Sequence, residues 1–170
     1  MLLAHILGNG PSIKLYSPAE GFVIGCNFHT HPVDVSVVLD KRPFLIYKGN
    51  RSLLQGKPVI TSRYAMPTIE EIKIKDELNI SHVVPHMDKY DSAGHIATRW
   101  ALDSGYEEIH LWGFDSIWAD TQETKTDEIV PRNRAQFDLY IHWREKWKPF
   151  ISENIIVHNT IEGTQLRELL

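Results

Sequence analysis

Three observations predict an α/β fold with a mostly parallel sheet covered by helices on both faces. Short runs rich in Val, Ile and Leu recur at Leu2 to Leu7, Phe22 to Phe28 and Val33 to Leu39, the first of them in the pattern of a buried parallel strand. The segment Gly94 to Ser104 places Ile96, Ala97, Trp100 and Ala101 on one helical face, ends at Gly105 and passes directly into a strand at Glu107 to Asp115, the helix-to-strand unit of parallel sheets. The first run stops abruptly at Gly8-Asn9-Gly10-Pro11-Ser12, the glycine turn of a strand that ends at a ligand-bearing edge. The arrangement is Rossmann-like, and 170 residues suffice for one hydrophobic core but not for two ordinary domains, so residues 1–170 read as a single domain.

The remaining elements follow in order. Pro58 to Thr61 reads as a fourth strand, and Thr68, three residues before Glu71, has capping-box spacing for a helix running to Leu78. His82 to Pro85 reads as a strand end. Residues 117–133 have no periodicity and read as a long loop or lid. A helix from Arg134 to Trp147 with Phe137, Tyr140, Ile141 and Trp147 inward, then a strand at Asn154 to His158, completes the chain.

Composition narrows the function. A net charge of -4 removes the broad positive field that duplex nucleic-acid binders use, so a small-molecule ligand is expected. Cys26 is the only cysteine, which excludes an intrachain disulfide and a cysteine-built zinc site and fits a reducing, cytoplasmic setting. The opening MLLAHILGNG lacks a basic leader and its apolar run is too short to span a membrane.

Two glycines at Gly8 and Gly10 let backbone amides approach an anion closely. The same turn is structural about as often as functional when it stands alone. Here it does not stand alone. GNGPS after the first strand, Cys26-Asn27 ending the second, and SAGHIATRWALDSGYEEIHLWGFDS at 92–116 together resemble glycosyltransferase family 42, the small bacterial CMP-sialic-acid-dependent sialyltransferases. They are also similar to the related DUF115 family, which includes archaeal 6-hydroxymethylpterin pyrophosphokinases. The likeness covers most of residues 1–116.

The resemblance implies a nucleotide-linked donor such as a CMP-sugar, with Asn9, Gly10 and Ser12 on the phosphate side and Asn27 as a ribose or phosphate contact. It also implies that Asp40, Ser92 and Gly94 line the same crevice at the carboxyl ends of the strands. Asp115 resembles the acid that orients ligand or binds a divalent ion. The sialyltransferases use a lid histidine as base and lid tyrosines at the leaving phosphate, whereas residues 117–134 here contain neither type. Arg132 and Arg134 are expected to neutralise phosphate instead. His95, in the first turn of a helix at the site, is the candidate base, weighed against a helix-start hydrogen bond.

Other residues carry less. His29 and His31, and the cluster His86, Asp88, Asp91 and His95, lack a recognised ligand spacing and read as loop histidines rather than a metal centre. Trp100, Trp112, Trp143 and Trp147 read as core, and Trp118 as the exception, an indole that either covers a base or sugar or anchors its loop. Lys41, Arg42, Lys48 and Arg51 read as a solvated basic run near Asp40. The leading expectation is a transferase using a nucleotide-activated donor. The second is an ATP- and Mg²⁺-dependent pyrophosphokinase-like enzyme with Asp40 and Asp115 facing the metal, and the third a nucleotide-binding protein without catalysis. A homo-oligomer built on the aromatics of the helix from Arg134 is compatible with all three.

Overall fold

The computed structural model describes residues 1–129 and 138–170, so Arg132, Arg134, Phe137 and the expected start of the helix at Arg134 lie outside the described residues. Eight strands form one sheet: β1 (Leu3–Leu7), β2 (Phe22–Cys26), β3 (Val35–Val37), β4 (Val59–Ser62), β5 (Ile80–Val84), β6 (Glu108–Trp112), β7 (Ile155–Val157) and β8 (Thr164–Gln165). Their order is β5-β4-β3-β2-β1-β6-β7-β8. Every neighbouring pair is parallel except β7 with β8. The fold is thus the expected α/β, Rossmann-like one.

The α-helices among the described residues are α1 (Lys41–Gly49), α2 (Met66–Glu71), α3 (Ala93–Asp103), α4 (Thr126–Ile129) and α5 (Leu139–Trp147), which lie between strands, and α6 (Leu166–Leu169), which follows β8. Successive strand residues face opposite sides of the sheet. Ala4, Ile6, Ile24, Ile109 and Leu111 pack with Ala97 and Ala101 of α3 and Trp147 of α5 on one side. On the other, Val38 and Val59 meet Phe44 and Tyr47 of α1 and Ile69 of α2, and Leu7, Val23 and Trp112 meet Ile13 and Tyr16 from the turn after β1. Helical and turn structure therefore covers both faces, which is why the inner strands are mostly apolar and the few polar residues they carry, such as His5, Ser36 and Thr61, are buried. No helix among the described residues is long and apolar enough to cross a membrane.

The chain walks outward from β1 through β2 to β5, then α3 carries it back so that β6 pairs with the opposite edge of β1. The segment after β1 leaves on one face and the segment after β6 on the other. Their separation opens a crevice at the carboxyl ends of these two strands, the topological switch point of an open parallel sheet.

Some expectations need correction. The basic run at Lys41, Arg42, Lys48 and Arg51 is exposed, as expected, but its first two residues open an unforeseen helix, α1, which forms because Phe44 and Tyr47, three apart, bury against the sheet. Thr68 does not cap a helix reaching Leu78. Pro67 already sits in the first turn of α2, and Lys73 with φ 62° closes it soon after, leaving Thr68 inside the helix. Strand β8 and helix α6 were not foreseen, being too short to carry a period. Ile141, expected inward, is 46% exposed.

Candidate functional site

A cleft of about 900 Å³ opens along the carboxyl edge of the sheet. Of the expected residues, Gly8, Asn9, Gly10, Asn27, Asp40, Ser92, Gly94 and Asp115 all line it. These come from β1, β2, β3, α3 and β6, so the sheet gathers positions spread over more than a hundred residues. Ser12 and His95 are not in its wall, and Arg132 and Arg134 lie outside the described residues.

The glycine turn is built differently from the expected phosphate cradle. The amide of Gly8 donates to Trp112 O at 2.7 Å, that of Gly10 to Gly113 O at 2.8 Å, and that of Ile13 back to Gly10 O at 3.0 Å. Ser12 donates its amide to Asp115 Oδ1 at 3.0 Å and its hydroxyl to the same oxygen at 2.6 Å. Three amides of the turn, those of Gly8, Gly10 and Ser12, and that of Ile13 just beyond it are thus satisfied within the protein, and Pro11 has none to offer. Ser12, expected on the phosphate, instead anchors Asp115, because a buried hydroxyl and amide need an acceptor and the carboxylate at the end of β6 is the one beside them.

This docking demands a missing side chain at Gly10. Its φ of -67° suits any residue, but a Cβ there would collide with Asp115 Oδ1 and stand 2.8 Å from Gly113 O. We therefore expect Gly10→Ala to cost about 1–3 kcal/mol through overpacking against rigid backbone. Urea unfolding measures it, and an unchanged midpoint would show that the two loops are not docked.

What the turn does offer the cleft is Asn9. Its Nδ2 donates to Cys26 O at 2.7 Å, while its own carbonyl accepts from Lys125 N at 2.7 Å, tying the segment after β6 across the tip of β1. That pose leaves Oδ1 as an acceptor. Asn27 holds a left-handed backbone, φ 62°, at the end of β2, a conformation asparagine tolerates better than branched residues. The Cys26 thiol in the cleft wall is buried, which pushes its pKa up to about 12 and leaves it an inert packing group.

The amino terminus of α3 is the strongest anion-holding feature present. Ser92 and His95 form a capping box, Ser92 accepting from the His95 amide and His95 Nδ1 accepting from the Ser92 amide at 3.0 Å. The next two amides, of Ala93 and Gly94, have no acceptor within the helix, and both residues line the cleft. Gly94 is bare because a Cβ would strike the ring of Phe114.

His95 is thereby removed as a base. It is 3% exposed, Nδ1 is occupied by Ser92, and Nε2–H donates to Trp143 O at 3.1 Å. Burial lowers its pKa to about 4, so the imidazole is neutral, but neither nitrogen reaches the cleft. The helix-start hydrogen bond is its role.

Asp40 behaves oppositely. It occupies the position before α1 without capping it, and its carboxylate makes no hydrogen bond or ion pair among the described residues. It stays open to the cleft, yet the surrounding walls thin its hydration and raise its pKa. Two other acids of the wall are compensated inside the protein, Asp115 by Ser12 and Asp91 by Lys146 Nζ at 3.4 Å. Among the described residues no group of three or more His, Cys, Asp or Glu could hold a metal ion, so Asp40 and Asp115 do not form a protein-built centre.

One indole changes role. Trp143, expected in the core, lines the cleft together with Trp147, whereas Trp118, weighed between a ligand cover and a loop anchor, packs on the core. The signal that could have separated them is the polar flank of Trp143: α5 is amphipathic only weakly, so its apolar side is shared between core and cleft.

No protein-family model matches the chain, and no curated protein matches it in sequence. Among solved structures, the crystal structure of the sialyltransferase CST-II in complex with a trisaccharide acceptor and CMP is similar, with a TM-score of 0.56, 15% identity, and coverage of 96% of this chain and 87% of that one. At that identity the likeness is one of fold.

Proposed function

From this shared fold, we propose that the cleft binds a nucleotide-activated donor and that the chain is a glycosyltransferase-like transferase. The observation that carries the reading is the open amino terminus of α3, facing the same cleft as Asn9 and Asn27 at the switch point of the sheet. The phosphate of the donor sits on the amides of Ala93 and Gly94, where the helix dipole adds about 0.3–2 kcal/mol. Asn9 Oδ1 and the Asn27 amide meet ribose or base groups, which need paired donors and acceptors. Trp143 supplies an aromatic edge for the base or sugar.

Asp40 is the base in this reading. A carboxylate with raised pKa and no partner among the described residues is suited to take a proton from an acceptor hydroxyl, work for which residues 117–134 supply no histidine. Asp40→Asn keeps the shape but removes the base. It should lower turnover of the donor by about 10²–10⁴-fold with nucleotide affinity unchanged, read by steady-state kinetics beside calorimetry. Equal loss of affinity and rate would make Asp40 a binding residue only.

The direct test is a thermal-shift panel of CMP, CDP, UDP, GDP and ATP, each with and without Mg²⁺. A ligand present at a hundred times its Kd adds about 2.7 kcal/mol to stability. Tightest response to a cytidine nucleotide without metal supports the sugar-transfer reading. Response to ATP only with Mg²⁺ supports the pyrophosphokinase-like alternative, which Asp40 also favours, since Mg²⁺ in such sites rides on substrate phosphates and needs only one or two carboxylates. Silence across the panel would remove both.

A further inference from the structure

The cleft is longer than a nucleotide needs. Beyond the ends of β1 and β6 it continues past β3 to Tyr64, which follows β4, and there it adjoins a second concavity of about 420 Å³ at the ends of β4 and β5. Tyr64 and Met87 belong to both walls, so the two concavities are neighbours across a single tyrosine.

That tyrosine is conspicuous for its exposure. Tyr64 is 61% exposed, in a protein whose other cleft aromatics, Phe114, Trp143 and Trp147, are at least partly buried. Its backbone is nevertheless held, because Arg63 N donates to Val84 O at 2.9 Å, extending the β4–β5 ladder one residue further. Cations flank it. Lys41 Nζ lies 5.0 Å from the ring centroid and lines the first concavity, and Arg63 lines the second. Neither side chain pairs with a carboxylate among the described residues. The wall of the first concavity also carries the acids Asp40 and Glu71, and the histidine of the second, His86, is already bonded to Asp88 at 3.0 Å.

We propose that this end of the groove is the subsite for the second substrate, and that it takes a ring bearing a carboxylate or phosphate. A fixed, exposed aromatic face suits a sugar or planar ring, and two uncompensated cations on either side of it suit an adjacent anion. The assignment rests on the donor reading above, since it treats the α3 end as the place of the nucleotide and the Tyr64 end as that of the acceptor. It adds the acceptor's chemistry, which that reading leaves open.

Amide chemical shifts of the whole protein separate the two ends. Four probes are titrated: glucose 6-phosphate and glucuronate, which carry both features, glucose, which has only the ring, and inorganic phosphate, which has only the anion. CMP is titrated alongside and read at residues 92–94. The first two probes should perturb residues 62–64 and 84–87 and bind at least about tenfold tighter than glucose or phosphate, a factor equivalent to 1.4 kcal/mol. Arg63→Gln and Tyr64→Ala, both on the surface, should each weaken that binding by about fivefold or more while leaving CMP binding as it was.

Preference for glucose 6-phosphate over glucuronate, or the reverse, identifies the anion. Equal binding of glucose and the charged probes, or insensitivity to both substitutions, overturns the subsite. Binding of the charged probes at residues 62–64 with no CMP response at 92–94 upholds it and defeats the donor reading instead.

Discussion

Unfolding by urea should require markedly less denaturant at pH 5 than at pH 7, and the folded state should be close to its limit by about pH 4.5. The cause is a set of buried neutral histidines. His29 and His95 are held with pKa values of about 4 by desolvation, and His158 is lowered to about 4 by desolvation together with the neighbouring His110 charge. His5 is lowered too, again by burial. In the unfolded chain these groups return to about 6.5. Between 6.5 and 4 the unfolded state therefore binds protons that the folded state does not, so stability is complete above 6.5 and drains away as pH falls through that window. For His29 and His95 the slope approaches about 1.4 kcal/mol per pH unit each. Against a usual total of about 5–15 kcal/mol this is a dominant effect.

The hydrogen bonds explain why the protons are refused. His95 Nδ1 accepts from the Ser92 amide, and His5 Nδ1 accepts from Trp112 Nε1 at 3.1 Å while its Nε2–H meets Glu20 O at 2.9 Å. A second ring proton would set donor against donor. His29 Nε2 is buried with no partner at all. Asp40 acts in the opposite direction, since its raised pKa lets the folded state take up a proton first, but a single carboxylate open to the cleft offsets little of this. His95→Gln should flatten the pH slope, and a midpoint that stays level from pH 7 to 5 would contradict the account.

The second large effect is expected at Asp115. Asp115→Ala strips the acceptor from the Ser12 amide and hydroxyl at once, and Ser12 is only 7% exposed, so water does not readily replace it. Two buried donors left unpaired, at about 1–3 kcal/mol each, predict a loss of about 2–6 kcal/mol. Asp115→Asn retains one acceptor oxygen and should lose less. A double-mutant cycle with Ser12→Ala isolates the hydroxyl–carboxylate contact, because the amide of residue 12 loses its acceptor in both Asp115→Ala backgrounds and cancels from the cycle. Coupling below about 0.5 kcal/mol, the scatter expected of independent sites, would mean that the β1 and β6 loops are held together by something else. The same variant loosens Asn9 and Gly10, so weaker nucleotide binding should accompany the loss of stability.

The strands and α3 were legible because their signals are local. Phe22–Cys26 is apolar without interruption and Leu3–Leu7 is broken only by His5, and α3 carries its own cap, period and terminating Gly105, with φ 93°. Helix α1 was hidden by its charged first turn, and its apolar face reduces to Phe44 and Tyr47. At the site, strand-end positions of Asn9, Asn27, Asp40 and Asp115 could be read from where each run stops. Their partners could not. Ser12 and Asp115 are separated by 103 residues, and His95 and Trp143 by 48.

By itself the sequence determined that this chain folds as an α/β sheet with a glycine turn at the end of its first strand, since burial periodicity and backbone freedom are properties of neighbouring residues. Only the tertiary structure decided which polar groups at that edge remain open. It closed the amides of the turn onto the β6 loop, locked His95 into a cap, and left the start of α3 and the carboxylate of Asp40 facing the cleft. The reason is physical: a buried donor takes whichever acceptor the fold brings within about 3 Å, and that neighbour is set by strand order rather than by proximity in the chain.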